Sequence, residues 1–204
     1  MGIKDRRERE KQITRQAILT AALQIAKEDG WSALTIRKVG ERIEYSGPMV
    51  YEYFANKDAI LQELLQEGFR QLAEMMIEVC TSTSDFEERM LKMCDAYWQF
   101  ALDNRELYQL MHGLAGVPLR GAPMTQAIQM TSKIAEGVIM DWAQSAKIVI
   151  ENPLGATEIF WSILHGLVSL HLIDRVEGGE QRSRDLMHQA IRYQMLGWQA
   201  AQKS

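Results

Sequence analysis

Apolar residues recur at helical spacing almost from one end of this chain to the other, and strand-type alternation is nearly absent. That regularity leaves an all-α fold as the class the pattern supports. Residues 11–29 place Ile13, Ala17, Ile18, Ala21, Ala22 and Ile25 on one stripe, and Gly30 supplies a stop. Trp31 is placed to fold back over that helix end. Thr35 reads as the N-cap of a short helix carrying Ile36, Val39 and Ile43. Ser46 or Gly47 opens the next, with Pro48 tolerated in its first turn. Asn56 caps a long helix over 57–80. Further helices are expected over 85–102, 106–112, 124–148, 154–176 and 181–202, broken by Asn152-Pro153 and Gly178-Gly179. GLAGVPLRGAP at 113–123 is the only long Gly/Pro-rich loop.

Several function classes fall away. No run of about 18 apolar residues is present, so no membrane-spanning helix is expected. The opening MGIKDRREREKQ is charged throughout, unlike a secretory leader. Cys80 and Cys94 have no CxxC or neighbouring His, so they read as buried apolar residues in a reducing cytoplasm rather than metal ligands. Four histidines form no HExxH, and no nucleophile elbow is present. No cofactor is expected. A helical-bundle enzyme or lipid-binding protein is the remote alternative. Charge is unevenly spread. Residues 1–42 hold ten Lys/Arg and six Asp/Glu, a net of +4, whereas the rest nets −8. A basic end on an acidic body suits a chain of which one end meets a polyanion.

That basic end runs into YSGPMVYEYFANKD at 45–58, where an aromatic block follows a Gly-Pro break. Two short helices, 36–43 and 47–54, follow an amphipathic one and form a three-helix helix-turn-helix unit, with Val39, Ile43, Val50 and Phe54 as its core. Gly40 lies where the two short helices cross. The stretch TIRKVGERIEYSGPMVYEYFANKDAIL resembles the TetR family of one-component bacterial repressors, with the match running from about Ile13 to Leu61. The resemblance implies a DNA-binding head over 1–58 and a helical ligand-binding and dimerisation body over 59–204. It implies a homodimer on a double-stranded, palindromic operator, released by a small apolar or amphipathic effector. A TetR-like activator or a ligand-independent regulator is the alternative.

Carried over by position, the resemblance gives Thr35, Arg37 and Lys38 to the phosphate backbone, where hydroxyl, amide and cationic donors converge on a helix start. It gives Ser46, Gly47, Pro48 and Met49 to the base edges, and the phenols of Tyr51 and Tyr53 to phosphates. Glu52 either accepts from a cytosine amino group or repels phosphate. Lys57 adds charge at the start of the long helix. Arg6, Arg7 and Arg9 form either an arm towards DNA or a frayed terminus. The turn position usually held by Gly is Glu44, which costs about 1 kcal/mol if the backbone there is left-handed. The recognition helix lacks Arg, Lys, Asn and Gln, so modest direct base readout is expected, with shape and backbone contacts carrying more of the specificity.

The body is poor in charge: residues 107–172 carry seven charged side chains in 66. Methionine and aromatic residues concentrate there, which suits either an ordinary core or a soft apolar pocket. Candidate effector residues are Met93, Tyr97, Trp98, Tyr108, Met111, His112, Met130, Trp142, Trp161 and His165. Trp161, His165 and Gly166 also resemble the Trp-His-Gly pattern of one TetR-like ligand domain. The last two helices read as a dimer seam. Leu164, Val168, His171 and Arg175 recur on one, and Met187, Ile191, Met195 and Trp198 on the other.

Overall fold

Gly30 turns to φ +79° and donates its N–H to the Ala26 carbonyl at 2.9 Å, closing the first helix of the computed structural model. The structure describes residues 3–114, 116 and 126–202. The first helix, α1, spans Ile3–Asp29. It begins well before the apolar stripe does. Side-chain hydrogen bonds at helical spacing support the added turns: Arg6 to Glu10 at 2.8 Å and Gln12 to Glu8 at 3.0 Å. Arg6, Arg7 and Arg9 therefore lie on a helix rather than on a loose arm.

A single 3₁₀ turn at Trp31–Ala33 buries the Trp31 ring. Thr35 then caps α2 (Ile36–Arg42), its hydroxyl oxygen accepting from the Lys38 N–H at 3.1 Å. Next, α3 (Gly47–Tyr51) is shorter than the pattern suggested, because Glu52 and Tyr53 tighten into a turn that brings Phe54 inward. Asn56 accepts from the Ala59 N–H at 2.9 Å and opens α4 (Lys57–Thr81). After it come α5 (Phe86–Asp103), α6 (Arg105–Met111), α7 (Gln126–Ser145), α8 (Pro153–Leu172) and α9 (Gly179–Ala201). Asn152 caps α8 by accepting from the Gly155 N–H at 3.0 Å. Helix α7 stops at Ser145, and Lys147 at φ +57° turns the chain out of it. Among the described residues no strand occurs.

The chain divides into two compact units. One holds Met1–Gly68 with Asn104–Pro123, and its core includes Ile18, Ala22, Ile25, Val39, Val50, Phe54, Ile60 and Leu64. The other holds Phe69–Asp103 with Met124–Ser204 and packs α5, α7, α8 and α9 around Met93, Tyr97, Trp98, Phe100, Ile139, Phe160 and Leu164. Burying each of these large side chains contributes about 1.5–3 kcal/mol.

Candidate functional site

Between α2 and α3 the chain turns in four residues. Gly40 permits it, because a Cβ there would lie 2.7 Å from the Tyr45 carbonyl oxygen. The Tyr45 N–H returns to the Gly40 carbonyl at 2.8 Å. Glu44 sits at φ +60°, the left-handed conformation expected of a Gly at that place. It carries the strain of about 1–2 kcal/mol that a Cβ brings. Val39, Val50 and Phe54 hold α3 down from inside. What remains outside is Ser46, Pro48, Tyr51 and Glu52, with Gly47 and Met49 half-buried. Tyr51 is 57% exposed, a large ring left in water. A Cβ at Gly47 would meet nothing within 4 Å, so that surface is open to close approach.

The candidate cations have partners within the chain. Arg37 pairs with Glu41 at 2.7 Å, and Lys38 reaches back to Asp29 at 3.1 Å. Lys57 donates to the Trp31 carbonyl at 3.1 Å, tying α4 to the turn after α1. Arg42, not among the sequence candidates, donates from both terminal nitrogens to the Glu28 carboxylate, at 2.8 and 2.6 Å. These pairs are exposed and screened by water, so a phosphate can displace the carboxylate. Arg7, Lys11, Tyr45, Met49, Glu52 and Tyr53 line a cleft of about 670 Å³ between α1 and α3. Thr35 spends its hydroxyl on the cap and remains exposed beside Arg37.

The effector candidates divide between the two units. In the first, Tyr108 and Met111 are buried, and the Tyr108 ring lies 4.6 Å from that of His112. In the second, Met93, Tyr97, Trp98 and Trp142 are buried. The Tyr97 ring lies 5.2 Å from Trp161, and its hydroxyl lies 3.5 Å from His165 Nδ1. The other ring nitrogen of His165 lies 3.4 Å from the Ser169 hydroxyl. Burial pushes the His165 imidazole below its ordinary pKa, favouring the neutral form. Met130 departs from this group, being 44% exposed on α7. Apart from Gly113, Leu114 and Gly116, the 113–123 loop lies outside the described residues.

The dimer candidates mostly face inward. Leu164, Val168, Met187, Ile191 and Met195 are buried where α8 packs on α9. His171 lies 4.8 Å from the Trp98 ring and 3.2 Å from the Ser183 hydroxyl, and Trp198 packs 5.8 Å from Trp142. Only Arg175 is exposed. The apolar side chains that reach water are different ones: Ile159, Leu170 and Ile173 on α8 and just past its end, and Tyr193 and Leu196 on α9.

No helix of the described chain is long and apolar enough to cross a membrane, and no cluster of metal-ligating residues occurs among the described residues. Cys94 is buried as expected and donates its thiol to the Met90 carbonyl at 3.1 Å, whereas Cys80 is only half-buried at the end of α4; burial raises the pKa of both.

Residues 18–64 match the family described as bacterial regulatory proteins of the tetR family, and residues 90–193 match the tetracyclin repressor-like C-terminal domain. The chain is 26% identical over 165 residues to the uncharacterized HTH-type transcriptional regulator YobS of Bacillus subtilis, covering 78% of each chain. Its fold is similar to that of a protein of unknown function from Rhodococcus sp. RHA1, with a TM-score of 0.79 at 20% identity, over 90% of this chain and 94% of that one. It is also similar to the fatty acid degradation regulator FadR from Bacillus halodurans, with a TM-score of 0.73 at 16% identity, over 86% and 92%. With a helix-turn-helix in one match and the greater part of the helical remainder in the other, the chain belongs to the TetR family of DNA-binding transcriptional regulators, not to a family of enzymes.

Proposed function

We propose that this regulator is a cytoplasmic homodimeric repressor that holds a palindromic operator and releases it when a small amphipathic effector enters the helical body. The observation that carries the DNA half is the outward face of α3: an exposed Tyr51, an open Gly47 and a turn kept tight by Gly40. Two such heads about 34–36 Å apart, or a multiple of that, would enter successive major grooves. The dimer reading is supported by the exposed apolar side chains on the α8–α9 surface. Ile159, Leu170 and Ile173 recur at helical spacing, as do Tyr193 and Leu196. Gly166, where a Cβ would meet nothing within 4 Å, lies on the same α8 stripe and permits close helix approach.

The effector reading is supported by buried polar atoms among apolar rings in the second unit. Tyr97, His165 and Ser169 form one polar chain there. The indole N–H of Trp98 and the side-chain amide of Gln194 are buried with no hydrogen-bond partner among the described residues. An unmade buried hydrogen bond costs about 1–3 kcal/mol, which a ligand acceptor reaching such a donor would recover. An amphipathic molecule therefore suits this region better than a pure hydrocarbon. The effector acts only through its differential affinity for the DNA-bound and released states.

The experiment is selection of duplexes from a random library, followed by titration of the recovered sequence at several salt concentrations. Affinity should fall steeply with salt. Tyr51→Phe, which removes one exposed hydroxyl and no packing, should weaken binding while sedimentation still reports a dimer. Failure to recover any duplex would overturn the reading. A thermal-shift panel of amphipathic metabolites then identifies an effector by a raised melting temperature. A compound that stabilises the protein without releasing the duplex would remove the release step.

A further inference from the structure

Helix α3 has five residues, too few to fix its own direction. It runs directly into the turn at Glu52 and Tyr53. That turn is held from α1. Arg15 donates from Nη1 to the Tyr53 carbonyl at 3.0 Å, and its guanidinium carbon lies 4.3 Å from the centre of the Phe54 ring. The other edge of the same group is given to α4, where Nε reaches Glu63 Oε1 at 2.7 Å and Nη2 pairs with Glu63 Oε2. Both partners are about two-thirds buried, with side-chain exposures of 31% and 34%.

One planar group on α1 thus meets both the turn just past α3 and α4. We infer that Arg15 is a positioning residue for the DNA-reading helix, acting through Glu63 and the Tyr53 carbonyl rather than by touching DNA. A guanidinium suits this place because its fork fills a carboxylate and a carbonyl at once while its face covers a ring. A lysine keeps the charge but loses the fork. Glu63 sets the guanidinium plane. That plane sets the Tyr53 carbonyl, and through it the direction of Tyr51, Glu52 and Tyr53. The inference rests on the DNA-binding reading of α3.

Glu63 makes the test sharp. It is an anion, so removing it favours a polyanion on electrostatic grounds alone. If Glu63 positions the head, removing it weakens specific binding instead. The full-length protein would be titrated by fluorescence anisotropy against the duplex recovered by selection, and against a random duplex of the same length. Loss of a charge-assisted hydrogen bond predicts that Glu63→Gln weakens the selected duplex about ten-fold or more, with much less change on the random one. Arg15→Lys should do the same, and the double variant Arg15→Lys with Glu63→Gln should be no worse than the poorer of these two singles. Melting followed by circular dichroism confirms that each variant is folded at the titration temperature. Should Glu63→Gln fail to fold, Arg15→Lys carries the same test.

Unchanged or tighter binding by Glu63→Gln would overturn the proposal. Equal losses on both duplexes in Arg15→Lys would also overturn it, since they would mark Arg15 as a phosphate contact. If the parent protein recovers no duplex, the DNA-binding reading fails and takes this inference with it. If it does, only the positioning role is at stake.

Discussion

The DNA-side candidates and the effector-side candidates occupy opposite kinds of position. Ser46, Pro48, Tyr51 and Glu52 lie on the outside of a turn whose packing is done by other residues. Met93, Tyr97, Trp98 and Trp142 are themselves the packing of their unit. A surface site can be altered without unfolding its scaffold, because the residues that bind are not those that hold. An interior site has no such separation: a ring that lines a pocket is also a ring the core relies on. Binding and stability should therefore come apart in the head and move together in the body.

The largest test of that contrast is Phe160→Ala. Phe160 is fully buried, with its ring 6.0 Å from Trp161. Removing such a ring costs about 3–5 kcal/mol. Urea unfolding would measure it, and a loss below about 1 kcal/mol would mean that the interior already contains slack. In the head the corresponding comparison uses two glycines. Gly40→Ala forces a Cβ to within 2.7 Å of a backbone oxygen, so the α2–α3 turn must shift, at about 1–3 kcal/mol and with loss of DNA binding. Gly47→Ala meets open space, so stability should stay within about 0.5 kcal/mol of the parent. If Gly47→Ala nevertheless weakens the selected duplex, close backbone approach to DNA is supported.

The same contrast explains what was legible in the sequence. Gly30, Thr35, Asn56 and Asn152 end or open helices where local rules place them, because a cap needs only its neighbours. Family membership was legible for a similar reason, since the motif is contiguous. The outward face of α8 was not. Phe160, Leu164 and Val168 form one apolar stripe, and Ile159, Leu170 and Ile173 form another. A helix apolar on both sides cannot announce which side meets its own chain. Arg15 was missed because its partner lies 48 residues away, and periodicity carries no information at that range. The early start of α1 escaped because polar side-chain pairs, not an apolar stripe, sustain its first turns.

A smaller effect tests whether the head's cations are held in reserve. Asp29 and Glu41 occupy Lys38 and Arg37 without burying them. Asp29→Asn with Glu41→Gln removes two negative charges beside the candidate phosphate contacts. Since both pairs are exposed and screened by water, DNA binding should tighten by about a few-fold at most. The gain should shrink at high salt. Weakened binding would show that the carboxylates orient the cations rather than compete for them.

The smallest effect is a pH dependence in the body. Burial lowers the His165 pKa, so the folded state resists a proton that the unfolded chain accepts near its ordinary value of about 6.5. Between that value and the lower folded one, the unfolded state binds more protons. Stability therefore rises with pH through this window and falls as pH drops below about 6.5. The fall ends once the folded imidazole is itself protonated. His165 is half-buried, so water screens part of the penalty and the slope should be shallow. Urea unfolding at a series of pH values, compared with His165→Gln, isolates this one group from the other titrating residues. A parent slope that the variant reproduces would assign the dependence elsewhere. A slope that the variant flattens would show that His165 is held as a neutral imidazole between Tyr97 and Ser169 in the folded protein.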